Sequence, residues 1–192
     1  LIFSSNENKI NEESPISPKD PYSISKYVTM QSIKAYRKKG VFASCGILSN
    51  HESIYRKDSF LSKRIVNKAV DALYGNNEKM IIGDINSYAD WSYAPDFMKI
   101  IFKIMHHKVP DDFILASGKL HQVKDFLEFA FSEVNLNYQD FIEEDNRLLK
   151  RSNVKRKLDI SKINESFNLD FITSFKDMIK ILIQDEIKHR KK

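Results

Sequence analysis

Between residues 60 and 74 the apolar side chains Leu61, Ile65, Ala69, Val70 and Leu73 recur every three or four residues, and Gly75 stops the pattern. That is the period of an amphipathic helix. The same period places a helix after Pro21, through Tyr22, Lys26, Met30, Ile33 and Tyr36 to a stop at Gly40. It also predicts helices over 95–107, over 123–134 (Phe126, Leu127, Ala130 and Phe131 on one stripe) and over 175–189. Short apolar or β-branched runs at 1–3, 41–48, 79–82 and 113–116 predict strands. Residues 8–21 are polar and hold Pro15, Pro18 and Pro21, so they predict a loop.

Strand, loop, helix, strand is a βαβ unit, and it implies a parallel sheet. Helices and strands alternate along the rest of the chain, so the fold class is α/β. No internal repeat or low-complexity segment interrupts it.

Composition narrows the picture only a little. The chain has 192 residues, 42% hydrophobic and 30% charged, enough for one core or for a domain plus a smaller lobe. Its net charge of +5 sets 31 basic residues against 26 acidic ones. The excess clusters at Arg147, Lys150, Arg151, Lys155, Arg156 and Lys157 and in the tail from Lys188 to Lys192. Such runs are solvated faces or meet a small anion more often than they bind nucleic acid. Cys45 is alone, so no disulfide forms within the chain. No apolar run is long enough for a membrane span, and the first residues do not resemble a signal peptide. A cytoplasmic setting is the expectation, without membrane or nucleic-acid partners. Leu1 in place of Met suggests a start within a longer protein.

Chemistry concentrates around Tyr22-Ser-Ile-Ser-Lys26. Residues i and i+4 share a helix face, so the phenol and the ammonium can serve one site. A cation there would favour phenolate and make Tyr22 a proton shuttle for a hydroxyl. Upstream, Ser4-Ser5-Asn6-Glu7 follows the first apolar run, which sets a hydroxyl and a carboxylate at a strand's C-terminal edge, where open α/β sheets bind ligands. His106-His107 at a helix end suits the helix dipole better than a metal, and Trp91 fits the core. No cluster has metal-ligand spacing.

The Ser-Ser-x-Glu element and the Pro-Tyr-x-x-x-Lys helix together resemble the core of extended short-chain dehydrogenases that act on nucleotide sugars. Longer segments are similar to one family among them, the GDP-mannose 4,6-dehydratases. Cys45-Gly-Ile-Leu-Ser-Asn-His-Glu-Ser53 resembles C-N-G-I-L-F-N-H-E-S, and Ala89-Asp-Trp-Ser-Tyr-Ala94 resembles R-D-W-G-H-A. Pro110-Asp-Asp-Phe-Ile-Leu-Ala-Ser-Gly118 resembles P-D-D-Y-V-I-A-T-G. The segments keep the family's order, with a weaker match over about the last third of the chain.

The resemblance implies an NADP-dependent lyase that converts GDP-mannose to its 4-keto-6-deoxy form. It implies catalytic roles for Ser5, Glu7 and Tyr22, with Lys26 on the nicotinamide ribose. Tyr22 would take the O4 proton during oxidation at C4, Ser5 would orient that oxygen, and Glu7 would remove the C5 proton before water leaves from C6. Tyr22, Lys26, His51 and Arg56 would contact NADP; Asn50, Arg64, Lys150 and Arg151 would contact the sugar nucleotide. Residues 1–50 would be the remainder of a Rossmann domain. Residues 51–192 would be mainly a substrate lobe, with segments near 80–110 returning to that domain. Family members pair through two helices, here the Tyr22 helix and the 95–107 helix, which implies a homo-oligomer for the complete protein.

Three departures stand out. Ala89 replaces the arginine of R-D-W, and Asn153 stands where the family's R-P-x-E segment carries glutamate. The loop between Glu7 and Tyr22 is short. The glycine turn G-x-x-G-x-x-G, which cradles the cofactor pyrophosphate, has no counterpart, because the five glycines stand at 40, 46, 75, 83 and 118. The expectation is a catalytically silent fragment. The alternatives are a related epimerase or reductase, which has no need of Glu7, and a non-catalytic remnant that binds a sugar nucleotide.

Overall fold

The computed structural model describes residues 2–3, 9–145, 147–148, 155–167, 169 and 172–191. Within them the strands are β1 (Lys9–Ile10), β2 (Cys45–Leu48), β3 (Asn50–Glu52), β4 (Met80–Ile82) and β5 (Tyr88–Ala89). They continue as β6 (Trp91–Tyr93), β7 (Asp112–Leu115), β8 (His121–Gln122), β9 (Ile142–Glu144) and β10 (Lys157–Leu158). The helices are α1 (Pro21–Lys38), α2 (Leu61–Leu73), α3 (Ala94–Met105), α4 (Val123–Ser132), α5 (Ser161–Ser166) and α6 (Phe175–Arg190). The long helices fall where the 3.6 period places them, and the fold is α/β.

Parallel ladders join β2 to β7, β3 to β6, β4 to β9 and β1 to β10, and β5 and β8 pair antiparallel. β7 is buried at every position and serves two cores at once, as a parallel strand covered on both faces does. Phe113 and Leu115 pack with Phe97, Ile100 and Ile104 of α3 and Ile163 of α5. Ile114 and the following Ala116 pack on the opposite side with Phe3, Ile10 and Leu158. That split follows from the two-residue period of a strand. A third and larger core forms where α2, α4 and α6 pack on one another around Trp91, Phe126 and Phe131.

Two strand expectations are corrected. The run 41–48 becomes a strand only from Cys45, because the chain leaves Gly40 (φ +85°) and does not meet β7 until Cys45 pairs with Asp112. Among the described residues Phe3 enters no parallel ladder; it makes an antiparallel bridge with Ile16, and Ser17 N–H donates to the Ile2 carbonyl at 2.9 Å. The proline-bearing loop folds back on Ile2 and Phe3.

That loop is tightly held. Asp159 N–H donates to the Ile10 carbonyl at 2.7 Å, and the Lys9 ammonium lies 2.8 Å from the Asp159 carboxylate. Glu12, only 7% exposed, accepts the Ile114 N–H at 2.8 Å. In the β2–β7 ladder Cys45 and Ser49 donate to Asp111 and Leu115, so the Ile114 N–H points to the outer edge of β7. Glu12 therefore caps that edge.

Candidate active site

α1 presents the Tyr-Lys pair. Its N-cap is Asp20, whose carboxylate accepts the Ser23 N–H at 2.9 Å while the Ser23 hydroxyl oxygen accepts the Asp20 N–H at 3.1 Å. This reciprocal cap fixes the turn that carries Tyr22. Tyr22 is 70% exposed, and the Lys26 ammonium lies 5.2 Å from its ring centroid. The ammonium therefore sits over the aromatic face of the phenol. At the other end of α1, Arg37 Nη2 meets Asp112 at 2.5 Å, Arg37 Nε donates to the Ala43 carbonyl at 2.7 Å, and Lys34 pairs with Asp112 at 3.2 Å. The helix is thus pinned to the start of β7 by its last turns.

A second group gathers on β3 and the loop after it. Asn50 Nδ2 approaches the Asp90 carbonyl at 3.4 Å. The His51 ring lies 5.6 Å from that of Phe97, with Nδ1 2.9 Å from the Ser49 carbonyl oxygen. The Arg56 guanidinium carbon lies over Phe60, 3.5 Å from the ring centroid, and Nε is 3.2 Å from Glu52 Oε2. Arg64, in the first turns of α2, donates from Nη2 to the Ile81 carbonyl at 3.2 Å.

Among the described residues no hydrogen bond, ion pair or ring contact joins Tyr22 or Lys26 to Asn50, His51, Arg56 or Arg64. Each group is ordered within itself. Ser5, Glu7, Lys150 and Arg151 lie outside the described residues.

Sequence reasoning assigned no role to five buried carboxylates, Glu12, Glu52, Asp90, Asp96 and Asp112. Glu52, 2% exposed, accepts the Ser62 hydroxyl at 2.6 Å, and its burial pushes its pKa above the usual carboxylate value. Its spacing of four residues before Arg56 was an available signal. Asp90, 5% exposed, ties the ends of three strands: Oδ1 accepts the Ser117 N–H at 2.9 Å, the Ser49 hydroxyl at 3.3 Å and the Ser92 hydroxyl at 3.5 Å. Beside it His121 stacks on Phe175, with centroids 3.9 Å apart, and burial lowers the His121 pKa. Glu12, in a polar loop, carried no local signal. At the departure from R-D-W, the Lys155 ammonium lies 4.7 Å from the centroid of Tyr88, the residue before Ala89.

For a bound nicotinamide cofactor the fit is partial. The Tyr22–Lys26 face and the Phe60-stacked Arg56 are suited to a hydroxylated ribose and a phosphate. A glycine turn for the pyrophosphate is not among these 192 residues.

Comparison with known proteins follows the same lines. The profile of the GDP-mannose 4,6 dehydratase family matches residues 4–182. GDP-mannose 4,6 dehydratase 1 of Arabidopsis thaliana is 30% identical over 193 residues, covering all of this chain and 54% of that protein. The GDP-mannose 4,6 dehydratase of Dictyostelium discoideum is 31% identical over 127 residues, covering 66% of this chain and 36% of its own length. Among solved structures, RMD from Pseudomonas aeruginosa complexed with NADPH superposes with a TM-score of 0.83 at 17% identity, over 94% of this chain and 60% of that one. The dTDP-glucose 4,6-dehydratase from Bacillus anthracis in complex with NAD gives 0.81 at 18% identity, over 98% and 59%. These two show the fold, Rossmann-like with a parallel sheet between helices. The chain spans about half the length of the curated relatives it matches. It belongs to the GDP-mannose 4,6-dehydratase family.

Proposed function

We propose that this chain carries the proton-transfer and sugar-nucleotide part of an NADP-dependent GDP-mannose 4,6-dehydratase. The observation that carries the reading is the Tyr22–Lys26 pair, displayed on one exposed face of a capped helix in a member of this family. The bound dinucleotide supplies the redox chemistry. Tyr22 moves a proton at the hexose O4, with Lys26 holding positive charge beside it as the phenol gives up its own. Ser5 orients that oxygen, and Glu7 takes the C5 proton so that water can leave from C6. Asn50 and Arg64 face the sugar nucleotide, and His51 and Arg56 the cofactor. Lys150 and Arg151 belong to the diphosphate contact in this reading. Residues 1–50 belong with the cofactor domain and most of the remainder with the substrate lobe. The exposed apolar faces of α1 and α3 support self-association, and the setting is cytoplasmic.

Without a glycine turn in these residues, the chain alone binds GDP-mannose without turning it over. Saturation-transfer NMR with GDP-mannose, paired with a mass-spectrometric assay for loss of water in the presence of NADP, tests this. Binding that weakens about tenfold in Arg64→Ala supports the reading, since a charge-assisted contact to phosphate is worth roughly that factor. Absence of GDP-mannose binding sinks it. A second reading, a non-catalytic sugar-nucleotide binder, is favoured by Ala89 at the R-D-W position. Tyr22-dependent water loss once a relative's glycine-turn half is fused ahead of Leu1 would exclude it.

A further inference from the structure

The candidate cofactor cation does not hold itself. Arg56 lies on a loop between β3 and α2, and an arginine on a loop samples many rotamers unless something locks it. Two contacts do so here. Phe60 supplies a flat apolar surface under the guanidinium at 3.5 Å, and Glu52 draws the Nε edge to 3.2 Å. Nε is buried, and its N–H does not lie on the line to any acceptor, so the attraction to Glu52 is coulombic rather than a directed hydrogen bond. Glu52 is itself fixed: Ser62, in the first turn of α2, donates to the same Oε2 at 2.6 Å. Among the described residues neither Nη of Arg56 has a hydrogen-bond partner. A carboxylate buried to this degree is costly unless its charge is used; Arg56 is the arginine within reach, with His51 also close enough to act on it.

We propose that Glu52 is the positioning residue of the cofactor site: anchored by Ser62, it holds Arg56 against Phe60 by its Nε edge and leaves both Nη groups to a phosphate of the dinucleotide. This rests on the reading of Arg56 as a cofactor contact and goes beyond it by naming what orients that contact. A bidentate arginine needs its planar fork held at a set angle, and pinning the Nε edge while stacking the face fixes that angle. Ser62 matters only through Glu52.

The test uses the chain as it is, with NADPH as probe, at pH 8. Glu52→Gln keeps the side-chain volume and an oxygen for the Ser62 hydroxyl but removes the charge that holds Arg56. NADPH fluorescence titrations are run on the wild type, Glu52→Gln, Arg56→Ala and the double variant. In parallel, the Nε–H resonance of Arg56 is followed by proton–nitrogen NMR. The proposal predicts that each single change weakens NADPH binding about tenfold. It also predicts that the double variant is no worse than Arg56→Ala, because Glu52 acts through Arg56 alone. The Nε–H resonance should be protected from exchange in the wild type and lose that protection in Glu52→Gln. Additive losses, or an Arg56→Ala defect with no Glu52→Gln defect, overturn the positioning role. If Arg56→Ala leaves NADPH binding unchanged, the cofactor reading of Arg56 fails; if no form of the chain binds NADPH, the titration is repeated with a relative's glycine-turn half fused ahead of Leu1, and the absence of an Arg56→Ala defect there sinks that reading. The Nε–H resonance then still decides whether Glu52 holds Arg56, and unchanged protection in Glu52→Gln overturns it.

Discussion

The two longest helices, α1 with 18 residues and α6 with 16, live in opposite surroundings. α6 buries Met178, Ile179, Leu182 and Ile183 against α2 and α4, and α2–α6 ion pairs such as Lys63–Glu186 at 2.7 Å stitch its outer face. α1 buries only Ser23 and Met30, while Ile24, Val28 and Tyr36 stand exposed along it. A lone helix of this length is marginal in water, because its stability normally comes from a packed face. α1 is instead held at its ends, by the Asp20–Ser23 cap and by Arg37 and Lys34 on Asp112. The lobe of α2, α4 and α6 thus satisfies its own packing, whereas the middle turns of α1 leave Ile24 and Val28 exposed. α3 is divided the same way within one helix: Phe97, Ile100 and Ile104 are core, and Met98, Phe102 and Met105 are exposed.

The largest expected effect tests whether the lobe carries the stability. Phe126→Ala should cost about 3–5 kcal/mol, because it leaves a cavity at a fully buried position beside Trp91 and Phe175. Met30→Ala in α1 should cost less, since the smaller side chain leaves a smaller cavity, although Met30 is itself buried. Urea unfolding of both variants checks this, and equal losses would break the comparison. A smaller effect tests what the exposed face of α1 is for. Val28→Glu should leave the unfolding midpoint almost unchanged while weakening self-association about tenfold or more in sedimentation equilibrium, as charge in an apolar contact does. A wild-type chain that stays monomeric at high concentration would show that a second copy is not the partner of this face.

How far the chain could be read from its letters follows the same division. The long helices were legible because periodicity is a local signal, and so was β7, an apolar run between two punctuated loops. β3, β5, β6 and β8 were not. Each is two or three residues long, and its strand character comes from a partner distant in sequence, as when Asn50 pairs with Trp91 or Tyr88 with Gln122. The Tyr22–Lys26 pair was legible because i,i+4 geometry is fixed by the helix. Glu12, Glu52 and Asp90 were not assigned roles, because a buried carboxylate looks like an exposed one until its hydrogen-bond donors arrive from elsewhere: Ile114, Ser62 and Ser117.

The smallest expected effect separates two carboxylates by the sign of their pH response. Asp159, in the clasp that holds the loop before α1, has its pKa lowered to about 2 by Lys9 first and by the Ser161 hydroxyl and N–H next. A carboxylate held below its unfolded value of 3.8 binds protons less readily when folded, so its contribution is present above that pH and is lost as pH falls towards 2. Lys9→Met should move Asp159 back up and flatten the acid limb of stability between those values. The change is modest and salt-sensitive, since Lys9 is largely exposed. Glu52 behaves oppositely: burial raises it above 4.5, so the folded chain holds that proton more tightly, and its contribution is lost as pH rises from 4.5 through the raised value. Glu52→Gln should therefore remove a downward slope where Lys9→Met removes an upward one. Urea unfolding from pH 2.5 to 7 measures both, and slopes of the same sign would mean that one of the two carboxylates does not sit in the surroundings described.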